Sequence, residues 1–67
     1  MLKIEIEQEK DGRWIGEVPE LPGVLVYAST PEEARTKVTA LALRVIADRI
    51  EHGEPVPVDP RALFVTA

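Results

Sequence analysis

From Leu2 to Glu7 the chain alternates without a break: Leu2, Ile4 and Ile6 are apolar, while Lys3, Glu5 and Glu7 are charged. Successive side chains of a strand point to opposite faces, so the pattern through Gln8 predicts a half-buried β-strand. Lys10-Asp11-Gly12 follows, and it suits a three-residue hairpin loop with Gly12 in the left-handed conformation. That loop sets Ile6 opposite Gly16 and Ile4 opposite Val18, which adds Trp14, Gly16 and Val18 to the apolar face. A loop one residue longer would put Glu17 opposite Ile4 and invert the face, so the shorter loop is preferred. Pro19, Pro22 and Gly23 then make a stiff connector. Proline fixes φ and lacks an N–H donor, so neither flanking strand can run through it, and Gly23 permits the turn back. A plain turn would satisfy the same residues, but rigid backbone is also expected to keep Glu20 and Leu21 presented. A third strand over Val24 to Ala28 turns Val24, Val26 and Ala28 inward and Leu25 and Tyr27 outward.

Thr30-Pro31-Glu32-Glu33 is a helix start: a capping threonine, proline at the first helical position, and a glutamate three residues after the cap. Both glutamates complement the positive end of the helix dipole. The helix is expected to run to about His52, where Gly53 and Pro55 stop it. Its length, on the order of 33 Å at ~1.5 Å per residue, exceeds the ~17–20 Å of a short strand, so it must overhang its sheet. Ala34, Val38, Leu41 and Val45 form the stripe expected to cover the sheet, with Gly16 allowing close approach. Leu43, Ile46, Ala47 and Ile50 form a second arc. Burying Leu43, Ile46 and Ile50 is worth roughly 1.5–3 kcal/mol each. The arc is expected to be covered partly by the tail folding back and partly by another subunit. Glu54 to Pro60 reads as an extended linker, and Ala62 to Ala67 as a short final strand, parallel to the third through a right-handed crossover. The expected fold is α+β with the order β-β-β-α-β, a three-stranded antiparallel meander plus one long helix and a short C-terminal strand, in one domain over 1–67.

Composition narrows the function. At 67 residues the chain sits near the lower limit for a self-sufficient core. It has no cysteine and a single histidine, His52, which removes disulfides and the commonest zinc chemistry and leaves oligomerisation as the expected support. No long apolar run and no secretory leader pattern occur, so a cytoplasmic location is expected. The net charge of −4 argues against a nucleic-acid ligand and suits a basic protein partner. Glu5 and Glu7 fall on the outer sheet face and Asp48 on the helix, where Arg44 is its expected ion-pair partner. Nothing gathers these carboxylates into a metal site. His52 has no nucleophile in a recognisable relation to it and suits a helix C-terminus. No catalytic, cofactor-binding or metal-binding residue is therefore assigned, and Trp14 is read as core.

The motif series Asp11–Val24 ("DGRWIGEVPELPGV"), Ser29–Ala34 ("STPEEA"), the long helix and Gly53–Pro57 ("GEPVP") resembles the HicB family, the antitoxin half of HicA–HicB toxin–antitoxin pairs. The resemblance implies a partial ribonuclease H-like fold. It also implies binding and blocking of a small, basic, double-stranded-RNA-binding-like ribonuclease that degrades messenger RNA, by a homo-oligomer, dimer or tetramer. Family members typically continue into a DNA-binding module. This sequence reaches Ala67 directly after the expected last strand, so direct DNA binding is not carried over.

Two groups of residues are candidates for contacts. Ile15, Leu25 and Tyr27, rimmed by Lys3, Glu5, Glu7 and Glu17, form an apolar cluster on the outer sheet face. This cluster, or the arc of Leu43, Ile46 and Ile50, is the expected homo-oligomer interface. Glu17, Glu20 and Leu21 are the expected contacts for the basic toxin. The alternatives are a stand-alone homo-oligomeric scaffold without a toxin, and a degenerate metal-dependent nuclease.

Overall fold

A computed structural model describes residues 1–65. Strands β1 (Glu5–Gln8), β2 (Trp14–Glu17) and β3 (Leu25–Ala28) form an antiparallel sheet in the order β1-β2-β3, with helix α1 (Pro31–Glu51) packed on it. The α+β class and the antiparallel meander match the pattern of the sequence.

The register is that of the short loop. Ile6 pairs with Gly16, and Glu9 and Arg13 close the loop through a 2.7 Å backbone hydrogen bond. Gly12, at φ 94°, takes the left-handed position that the loop demands. On β3, Gly16 lies opposite Val26 and Trp14 opposite Ala28. One face therefore carries Gly16, Val18, Val24 and Ala28, all buried, with Ile6, Trp14 and Val26 half-buried.

The helix begins as its sequence dictates. Thr30 Oγ1 accepts from the Glu33 amide at 3.0 Å, and the Glu33 carboxylate accepts from the Ser29 amide at 3.3 Å. The end is a Schellman motif: Gly53, at φ 70°, donates to the Ile50 carbonyl, and Glu54 donates to that of Arg49. The helix sits close over β2, so a Cβ on Gly16 would lie 2.9 Å from the Ala34 carbonyl oxygen and 3.2 Å from Val38 Cβ.

Two expectations about the far end are corrected. The buried stripe is Ala34, Val38, Ala42 and Ile46, with Leu41 and Val45 only half-buried beside it. Every fourth residue of an α-helix advances by about 40°, so this row drifts toward the second arc. There Val56 and Val58 of the returning tail pack on the core and close over Ile46, which is 8% exposed. Ile46 is thus mainly a core residue, unlike Leu43 and Ile50 of the same arc, with only an edge reaching the groove beside the tail. Leu43 and Ile50 stay 56% and 45% exposed.

The second correction concerns Ala62 to Ala67. Asp59 caps a 3₁₀ turn over Pro60–Leu63 by accepting from the Arg61 amide at 3.0 Å. Asp-Pro, a cap followed by a first-position proline, overrides the strand-like composition that follows it. Phe64 is extended and 76% exposed, and among the described residues the sheet has three strands. Thr66 and Ala67, the end of the expected strand, lie outside the described residues. The accessible surface is 5157 Å², the radius of gyration 13.5 Å and the dimensions 46 × 23 × 16 Å. Among the described residues no helix is long and apolar enough to cross a membrane.

Candidate functional site

The alternation that buries Ile6 and Gly16 turns every other residue of the sheet outward. The register then builds two rows on the outer face, Glu5–Glu17–Leu25 and Glu7–Ile15–Tyr27. Ile15 is half-buried at the centre, while Leu25 and Tyr27 are 42% and 45% exposed. The three apolar candidates are brought together as neighbours on adjacent strands, and Glu17 shares their surface.

Charge on this face is mostly acidic, with Arg13 as a cation seated on it over Tyr27. Glu5 lies directly opposite Glu17, an arrangement of like charges that costs stability. Glu7 flanks Ile15. None of the three pairs with a cation among the described residues, where the ion pairs are Arg13–Asp11, Lys37–Glu33 and Arg61–Asp59. Arg13 stands 4.4 Å over the Tyr27 ring, a cation–π contact, but its guanidinium also binds Asp11 at 2.7 Å. The sequence reading missed Arg13. Its position, two residues before Ile15, makes it the diagonal cross-strand neighbour of Tyr27, so the register contained that signal.

The connector behaves differently from its expected role. The Leu21 amide donates to the Val18 carbonyl at 2.9 Å, and the Val24 amide donates to the Leu21 carbonyl at 3.0 Å. Two consecutive turns result, each with proline second, and Gly23 at φ 90° supplies the positive φ of a type II turn. Together they fold Leu21 inward, where it is 1% exposed among Val18, Val24 and Val38. Leu21 is therefore corrected from a partner contact to a core plug. Glu20 remains at the surface, accepting from the Lys3 amide at 3.3 Å. Glu17, not Glu20, stands beside the apolar cluster.

The residues weighed for catalysis stay apart. Glu5 and Glu7 face away from the helix, and Asp48 meets His52 instead of Arg44, with Nδ1 3.5 Å from its carboxylate. His52 Nδ1 also lies 2.7 Å from the Asp48 carbonyl; a carbonyl only accepts, so this nitrogen is the donor. Among the described residues no three His, Cys, Asp or Glu side chains form a group that could hold a metal ion. Two carboxyls are held below the ordinary carboxylate range: Asp11 by the Arg13 amide and guanidinium, and Glu33 by Lys37 and the Ser29 amide. Both stabilise local structure at the hairpin and the helix start. Comparison of the chain with protein-family models, curated proteins and solved structures returned no match.

Proposed function

We propose that this chain is a non-enzymatic binding protein of HicB-like type, with a partial ribonuclease H-like fold, that sequesters a small basic ribonuclease. The observation that carries the reading is the outer sheet face: an apolar centre of Ile15, Leu25 and Tyr27, with Arg13 over the Tyr27 ring, bordered by three carboxylates that pair with no cation among the described residues. A basic protein would relieve the Glu5–Glu17 repulsion while its apolar side chains cover the centre. The β-β-β-α order and the motif series from Asp11 to Pro57 support the family part of the proposal. On this reading acidic groups speed association and the apolar centre sets the dissociation rate.

The test is to look for a gene for a small basic ribonuclease adjacent to that of this chain and to co-express the two. Co-purification and relief of its growth arrest are expected, and Glu5→Lys with Glu17→Lys should slow association by roughly tenfold or more at low salt. Arrest that this chain cannot relieve, or an association rate indifferent to both substitutions, would reject the reading.

A further inference from the structure

The sheet ends in two edges, at β1 and at β3. Along an antiparallel strand the backbone groups point alternately to one side and the other. The Glu9 amide donates to the Arg13 carbonyl, so Glu5 and Glu7, in step with Glu9, turn their backbones toward β2. Ile6 and Gln8 therefore turn theirs outward, and among the described residues no backbone group pairs with them. On the far side the Val18 amide donates to the Val24 carbonyl, so on β3 it is Leu25 and Tyr27 that face outward.

We infer that the edge of β1 takes an extended segment of the partner as a fourth, antiparallel strand, and that this segment alternates lysine or arginine with apolar residues. In strand addition the backbone hydrogen bonds supply affinity and alternate side chains supply specificity. Glu5 and Glu7 stand on the outer face along this edge, after Lys3 and with Glu17 beside Glu5 on β2, so the edge is acidic. On the inner face stand Ile6, half-buried, and Ile4, 37% exposed. Opposed side chains of neighbouring strands lie ~4.5–5.5 Å apart at Cβ. A cation beside each carboxylate and an apolar group beside each isoleucine thus fit both faces in one register.

The edge of β3 does not ask for such a segment, because Leu25–Ala28 carries no charged side chain. Edge strands are commonly blunted by proline, by bulges or by charges that point inward. β1 has none of these: its register with β2 runs unbroken from Glu5 to Gln8, and its inward residues, Ile6 and Gln8, are uncharged. Its guards are the outward carboxylates, which repel an acidic strand and attract a basic one. The inference rests on the basic-partner reading for the sign of the partner's charge and adds how that partner is held.

The probe is a synthetic peptide of alternating lysine and valine, added to isotope-labelled chain while amide exchange is read residue by residue. Exchange at Ile6 and Gln8 is expected to slow by roughly tenfold or more, with Leu25 and Tyr27 unchanged. In an antiparallel pair the residue bonded to Ile6 shares its face, so the valine amides are the ones that meet β1. N-methylation of the valines should abolish the protection, and N-methylation of the lysines should leave it. Protection at Leu25 and Tyr27 instead, equal protection by a glutamate–valine peptide, or none at saturating peptide would overturn the inference. The two proposals fail separately. A ribonuclease that co-purifies yet leaves Ile6 and Gln8 exchanging freely rejects the edge alone, and peptide protection without relief of growth arrest rejects the ribonuclease alone.

Discussion

Gly16 is where a single missing methyl group governs the fold. The nearest atom to its absent Cβ is a backbone oxygen of α1, which cannot swing aside as a side chain could. Gly16→Ala should therefore push the helix off β2 and cost about 1–3 kcal/mol, the usual range for overpacking. Thermal melting is the check, with roughly 4–8 °C lost per kcal/mol in a domain of this size; an unchanged midpoint would contradict the close approach. Leu21 is the complementary case. Truncating this fully buried side chain to alanine should cost about 2–5 kcal/mol, comparable with the whole stability of a small domain. Far-UV circular dichroism should show Leu21→Ala largely unfolded, and a native-like spectrum and melt would return Leu21 to the list of surface contacts.

At the scale of elements, legibility followed how local the deciding force is. The hairpin register and the helix start depend on neighbours in sequence, and Gly12, Thr30 and Glu33 announce both. Leu21 was misread because proline and glycine specify that the chain turns without stating which side chain the turn tucks inward. Ile46 was misread because its cover, Val56 and Val58, arrives from a linker whose path the helix pattern does not contain. The last strand was misread because Asp59-Pro60 acts as a cap on a 3₁₀ turn. Of the candidate site, the apolar cluster and its charged rim were legible from alternation alone, although the cluster was read there as a contact between copies and not as the basic partner's site. The Arg13–Tyr27 contact required the register to be carried one step further.

The ionic groups at two element boundaries predict a pH response. Asp11 and Glu33 have folded-state pKa values lowered by their hydrogen bonds to Arg13 and Lys37. Their contribution is present above the unfolded carboxylate pKa and is lost as pH falls through the lowered folded values. Melting temperature should fall on acidification through that window, and Glu33→Gln should flatten the fall. Both groups are solvent-exposed, so the effect is expected to be small and to shrink with added salt. An Glu33→Gln profile parallel to that of the wild type would contradict the role given to this carboxylate.

For the molecule as a whole, the central feature is a helix longer than the sheet beneath it. The sheet covers its first half, the tail covers Ile46, and Leu43 and Ile50 stay open. Two apolar surfaces result, the outer sheet face with its carboxylates and the groove between helix, tail and N-terminus. The proposed occupant of the sheet face is a basic protein. Stopped-flow association with a small basic ribonuclease, wild type beside Glu5→Lys/Glu17→Lys, tests that assignment most directly, because both residues lie on the outer sheet face and away from the core. The account predicts association slowed by roughly tenfold or more at low salt; a rate indifferent to both substitutions would contradict it.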